Sequence, residues 1–216
     1  HRRRIMLNII KKMDFFSCLD VGCAQPYLLE LLSHTDKQLF GCDISEEVIM
    51  GNKKFFKNAQ FAKIDISKEI YPENKTFDLV ICSEVLEHVE DWKAAIRNLT
   101  SMANKYILIT VPSGTVHKID KLVGHIRHFH GNELIEEIKK HGYEIILCKY
   151  WGFPFHSLYK YSINLIAPEK IYENFAKRQY NFWKKTISNV LYYLFYLNDF
   201  FKFGSQLFIV VRRSEK

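Results

Sequence analysis

The chain has 216 residues, of which 48% are hydrophobic and 25% charged, and a formal net charge of +7. That length suits one domain, or one domain with an elaboration, and is enough to bury a core without a disulfide or metal staple. The composition excludes disordered, collagen-like and fibrous chains.

In chain order, short apolar runs alternate with helical patterns. The opening HRRRIMLNII lacks the apolar core and small-residue cleavage site of a secretory peptide. CLDVG at 18–22 reads as a strand that ends in glycine, and YLLELLS at 27–33 as a helix. QLFGCD at 38–43 is the second strand. Ser45 then caps a helix to 57, with Glu46 and Glu47 favourable in its first turn. Strands follow at 60–64, before Asp65, and at 77–82 (FDLVIC). Trp92, Ala95, Ile96 and Leu99 share one face of a helix over 91–103. KYILITV at 105–111 is a fifth strand, stopped by Pro112 and Gly114. Asn132 caps a helix through 140, which His141-Gly142 ends. The last strands are 143–149 and 205–212.

Alternating strands and helices predict an α/β fold, a doubly wound, seven-stranded, mostly parallel sheet with helices on both faces. Continuously apolar strands agree, because both faces of such a sheet are covered. The single domain would span 1–216. Residues 151–204 are too many for a loop and predict a helical insertion before the last strand. The charge sits there. Residues 1–148 hold 20 basic and 20 acidic side chains, whereas 149–216 hold 11 and 4, with 19 of the 32 aromatics. The five cysteines are odd in number and show no C-x-x-C pair. They are expected to be buried, reduced thiols, which suits the cytoplasm. No apolar stretch of about 18 residues predicts a membrane-spanning helix.

Three strands end in carboxylates, Asp20, Asp43 and Asp65. In a doubly wound sheet, ligands bind outside the carboxyl ends of the strands. Gly22 would let the backbone turn sharply beside a ligand. Asp43 is placed to accept two ribose hydroxyls, and Asp65 an adenine amino group. A dinucleotide fold wants G-x-G-x-x-G, but this chain offers Gly22, Ala24 and Tyr27. S-adenosylmethionine has no phosphate to cradle and is the alternative.

LDVGCAQPYLLELL, FGCDIS, AKIDIS, FDLVICSEVLEHVEDW, KYILITVPSG and HIRHFHGNELIEEIKKHGYEI occur in that order. Together they resemble the class I S-adenosylmethionine-dependent methyltransferases, in the broad group that includes ubiquinone-biosynthesis methyltransferases. The resemblance covers about 5–149 plus the last strand. It implies that Asp20, Gly22, Cys23, Asp43, Ile44, Asp65, Ile66 and Ser83 contact S-adenosylmethionine. The family's second and third glycines are Ala24 and Pro26 here. Pro26 would lie near the first helical position, where its fixed φ suits the helix.

Ser83–His88 follows the fourth strand, facing the transferable methyl in this fold. Alignment of acceptor and methyl supplies most of the catalysis, on the order of 7 kcal/mol or more. An oxygen or nitrogen acceptor also needs a base. His88 is the natural choice, with Glu84 as its catalytic companion. If these residues are helical, Glu84, Glu87 and His88 share a face. A divalent metal could then bind them, with His125, His128 or His130 as a further ligand. No metal is expected, because E-V-L-E-H-V also occurs in relatives that lack one. His125 and His128 are assigned to the substrate pocket.

The expected activity is methylation of a small molecule, on an oxygen of a sugar, lipid-linked sugar or quinone-like compound. Two alternatives are metal-assisted 2′-O-methylation of an RNA end and a non-catalytic relative that binds the nucleoside cofactor or a partner. For residues 151–204 the readings are ordinary core, a substrate lid, an interfacial helix or a dimer surface. Nucleic acid is not an expected partner, because the basic residues are dispersed.

Overall fold

The computed structural model describes residues 1–166 and 182–214, with the backbone alone at 166, 182–185, 187 and 188. In chain order the elements are α1 (Arg2–Ile10), β1 (Ser17–Val21), α2 (Tyr27–Leu32), β2 (Gln38–Asp43), α3 (Glu46–Phe55), β3 (Gln60–Lys63) and β4 (Phe77–Ser83). They continue with α4 (Trp92–Met102), β5 (Ala103–Pro112), α5 (Lys118–Leu122), α6 (Gly131–Lys139), β6 (Tyr143–Trp151), α7 (Phe155–Ile166), α8 (Phe182–Tyr196) and β7 (Gln206–Arg213). Short 3-10 turns occupy Leu86–His88 and Leu197–Phe200.

The strands form one sheet in the order β3-β2-β1-β4-β5-β7-β6. All neighbours are parallel except β7, which runs against both β5 and β6. The direction of winding reverses between β1 and β4. The carboxyl ends of these two strands therefore diverge in connection and leave a crevice between them.

Alternation along each strand divides the core in two. Leu79 and Ile81 of β4 join α1, α2 and α3 on one face, while Val80 and Cys82 join α4 and α6 on the other. Asp91 caps α4 by accepting from the Ala94 N–H at 2.9 Å. Ser45 caps α3 through the Val48 N–H at 3.3 Å. Where it is described, the insertion supplies α7 and α8, which pack on the α1 face through Phe155, Tyr159, Leu191 and Phe195. Tyr172, Phe175, Lys177, Arg178 and Tyr180 lie outside the described residues.

Four local expectations change. Residues 84–88 are not a helix, because Glu84 has φ +58° and only Leu86–His88 forms a turn. The α6 helix starts at Gly131 with His130 as its N-cap, not at Asn132. Cys148 is exposed, since β6 is an edge strand, whereas the other four cysteines are buried. Two short helices, α1 and α5, are additional. No described helix is long and apolar enough to cross a membrane.

Candidate active site

The turn after β1 is built by backbone and side chain together. Gly22 has φ +68°, and a Cβ there would overlap the Val85 methyl Cγ2, so no other residue fits both constraints. The Cys23 N–H donates to the Cys42 carbonyl at 2.9 Å. Ala24 has φ +42°, an unfavourable conformation for an alanine. Asp43 holds it there: Oδ2 accepts from the Ala24 N–H and Oδ1 from the Ser45 N–H, both at 3.0 Å. On the other side, Asn52 of α3 donates to the Ala24 carbonyl at 2.8 Å. Pro26 is the N-cap of α2, immediately before its first turn.

Asp20 is buried at the end of β1. Burial, and then the negative charge of Asp43, push its carboxyl up to about 7. Arg3 opposes this. Ile44 is exposed beside the Asp43 carboxylate, and Ile66 is buried. Asp65 lies two residues past β3 and accepts from the Ser67 N–H and hydroxyl at 3.1 and 2.6 Å. Lys68 reaches it at 2.7 Å, and its hydrogen bond, followed by that of Ser67, holds Asp65 below the usual carboxylate range. Ser83 closes β4, its hydroxyl 2.8 Å from that of Thr110.

A second wall faces this crevice. The loop between α5 and α6 is stitched to its neighbours by main-chain bonds, Ile126 N–H to Glu87 O at 3.0 Å and Phe129 N–H to Pro112 O at 3.0 Å. These bonds bring three predicted residues together. The His88 and His125 rings stand edge to face at 4.8 Å. His125 Nδ1 lies 3.2 Å from His128 Nε2. His88 Nδ1 lies 3.0 Å from the Gly124 carbonyl. A carbonyl can only accept, so Nδ1 carries a proton and donates to it. Burial, and then the neighbouring His88, lower His125 to about 4. Burial, then Lys160, lowers His128. Behind them sits Asp120, 3.0 Å from Lys160 Nζ and 3.5 Å from His128 Nε2. Burial would raise Asp120, but the His117 N–H and Lys160 hold it low.

The two carboxylates of the 84–88 segment diverge. Glu84 turns toward the sheet: Oε1 accepts from Gln206 at 2.8 Å and Thr110 at 3.2 Å, and Oε2 pairs with Arg2 at 2.9 Å. Glu87 is fully buried, and neither carboxylate oxygen has a hydrogen-bond partner among the described residues. Burial, and then Glu84, raise it well above the carboxylate range. Ligating atoms of Glu87, His88 and His125 lie within 4.8 Å of one another, and Glu84 is not part of that group. The α1 arginines fasten the crevice from above. Arg2 holds Glu84, Arg3 lies 4.3 Å over the Tyr27 ring, and Arg4 pairs with Asp199 at 2.7 Å.

The methyltransferase domain family matches residues 4–148, well over half the chain. The chain belongs to the class I S-adenosylmethionine-dependent methyltransferases. It is 27% identical over 195 residues to an uncharacterized methyltransferase of Schizosaccharomyces pombe, covering 82% of this chain and 61% of that protein. It is 30% identical over 102 residues to the ubiquinone biosynthesis O-methyltransferase of Methylococcus capsulatus, covering 45% and 40%. The chain thus spans about six-tenths and four-tenths of these curated relatives. In fold it resembles the N-methyltransferase NodS of Bradyrhizobium japonicum, crystallised with S-adenosyl-L-homocysteine, at TM-score 0.60 and 16% identity over 99% of this chain and 86% of that one.

Several residues of this candidate site were not visible in the sequence. Asn52, Thr110, Asp120, Lys160, Gln206 and the α1 arginines act across long sequence separations, and none carries a motif. The capping pattern of α5, where Asp120 accepts from the His117 N–H at 2.8 Å, was the one local signal available.

Asp20 generates a test. Its folded carboxyl titrates near 7 against 3.8 in the unfolded chain. Between those values the folded state keeps a proton that the unfolded state has lost, so stability falls as pH rises through this window. Above about pH 7 the penalty is complete and on the order of 4 kcal/mol. Asp20→Asn is expected to raise the urea midpoint at pH 8 and leave it nearly unchanged at pH 4. An equal shift at both pH values would contradict the burial argument.

Proposed function

We propose that this methyltransferase transfers the methyl group of S-adenosylmethionine to an oxygen of a small molecule, a sugar, lipid-linked sugar or quinone-like compound. The observation that carries the cofactor half is the Asp20–Gly22–Asp43 arrangement at the point where the sheet reverses its winding. A phosphate-bearing dinucleotide fits poorly. The Ala24 N–H, which would face a pyrophosphate, is already bound by Asp43, and Asp20 and Asp43 bring negative charge. The same charge suits a cation. Asp43 retains acceptor capacity for ribose hydroxyls beyond its two amide bonds. Ile44 offers an apolar surface to the base, with Asp65 and Ile66 at its far side. Cys23 and Ser83 complete the rim. When bound, the cofactor supplies a methyl group on a sulfonium, already activated for direct displacement.

The acceptor side falls to the imidazoles. His88 Nε2 would take the proton of the acceptor hydroxyl. His125, neutral, would orient that hydroxyl, and His128, backed by the Asp120–Lys160 pair, contacts His125 directly. Glu84 keeps the end of β4 in place through Thr110, Gln206 and Arg2. An oxygen acceptor also accords with the Methylococcus relative's name.

One calorimetric experiment tests the cofactor half. A cation bound beside Asp20 favours its ionised form. S-adenosylmethionine should therefore bind near pH 6 with release of a fraction of a proton, read as a difference in heat between phosphate and bis-Tris buffers. Asp20→Asn should bind without that release. No binding by the wild type would refute the methyltransferase reading, and binding without proton release would remove Asp20 from the site.

One observation favours a second reading, a divalent metal that orients the acceptor. A buried polar group without partners costs about 1–3 kcal/mol, and among the described residues the Glu87 carboxyl is such a group, beside two imidazoles. Glu87, His88 and His125 would hold the ion. This reading expects Mn2+ to bind the wild type and Glu87→Gln to weaken that binding at least tenfold. Wild-type protein with no affinity for Mn2+, Mg2+ or Zn2+ would dismiss it.

A further inference from the structure

The aromatic excess of the last third does not all enter the core. Phe200 is 83% exposed, Phe203 69%, Phe153 46% and Phe201 40%. They form one projection. The Phe153 and Phe201 rings meet edge to face at 5.8 Å, and the Phe153 N–H donates to the Phe203 carbonyl at 3.1 Å. The backbone beneath is tight, since a Cβ on Gly204 (φ +141°) would overlap the Trp151 carbonyl. The buried Asn198 side chain accepts from the Phe155 N–H at 3.0 Å. Arg4 and Trp151 both bind Asp199. The projection is thus a held feature of the fold.

Its position is specific. The β6 strand ends and β7 begins at the carboxyl edge of the sheet, the edge that carries Asp20, Asp43 and Ser83. Phe203 stands three residues before Gln206, whose amide binds Glu84.

We propose that Phe153, Phe200, Phe201 and Phe203, with the exposed Lys202 among them, form an anchor that inserts into an anionic lipid bilayer, so that the acceptor is an amphiphile drawn from that membrane. This rests on the methyltransferase reading for the acceptor but not for the membrane contact. Aromatic rings are the side chains suited to the boundary between headgroup and acyl chain. Lys202 stands exposed among the rings, and a basic residue near an anionic surface adds attraction. Single-stranded nucleic acid would want several cations interleaved with the rings. Among the described residues of the projection, Lys202 is the only lysine or arginine. An interfacial helix is one of four sequence readings of residues 151–204; the proposed anchor instead draws on the segment between α8 and β7.

Sedimentation with phosphatidylglycerol/phosphatidylcholine vesicles tests this on the full chain. The wild type should bind these vesicles and bind pure phosphatidylcholine much more weakly. Phe200→Ser with Phe203→Ser should reduce partitioning about tenfold or more per ring removed, and Lys202→Glu should weaken it further. Affinity for S-adenosylmethionine, measured on the same samples, should not change. Undiminished vesicle binding by the double variant would overturn the proposal, as would no binding by the wild type. A concentration-dependent dimer, or binding to single-stranded RNA, that the same substitutions abolish without any vesicle binding would assign the surface to that partner instead. Loss of cofactor binding by the wild type would count against the methyltransferase reading alone.

Discussion

The carboxylate of Asp43 is the contact on which the crevice beside β1 depends. Its two oxygens join the turn after β1 to the start of α3 through the Ala24 and Ser45 N–H groups. Ala24 is held in a left-handed conformation that costs an alanine about 1–2 kcal/mol. A charge-assisted hydrogen bond contributes a comparable amount, about 1.5–3 kcal/mol. The turn therefore tolerates the loss of a glycine that the family usually has. Gly22 cannot be lost in the same way, because Val85 occupies the space its side chain would need.

Charge is divided between two regions. The strand ends gather carboxylates, and burial keeps one of them, Asp20, partly protonated near neutrality. The opposing loop gathers imidazoles, two of which burial keeps neutral. The insertion joins this scheme through Lys160 of α7, which balances Asp120 behind the imidazoles. Its aromatic excess divides between the α1-side core, through Phe155, Tyr159 and Phe195, and the exposed projection beside β7.

Much of the fold was legible because it is written in local patterns. Apolar runs, a Ser45 cap and the Asp20, Asp43 and Asp65 strand ends are all short-range signals. The pairing of His88 with His125 was foreseen only as two candidates for one site. Main-chain bonds from Ile126 and Phe129 bring them together, and such bonds leave no trace in residue type. The 84–88 segment misled because its spacing suits a helix, while the left-handed Glu84 sends its carboxylate to Gln206 and Arg2 instead. The α1 helix was missed because it has no side-chain cap and its buried residues, Ile5, Met6 and Ile10, make an incomplete stripe. The contacts that fix it reach far along the chain, from Arg3 to Tyr27, Arg2 to Glu84 and Arg4 to Asp199.

Amide hydrogen exchange with and without S-adenosylmethionine tests the central claim most directly. Added cofactor should slow exchange at the carboxyl ends of four strands, residues 20–26, 43–46, 64–67 and 83–86, and leave their amino-terminal ends unchanged. Protection confined to other regions, or none at saturating cofactor, would contradict a site built on Asp20, Gly22 and Asp43.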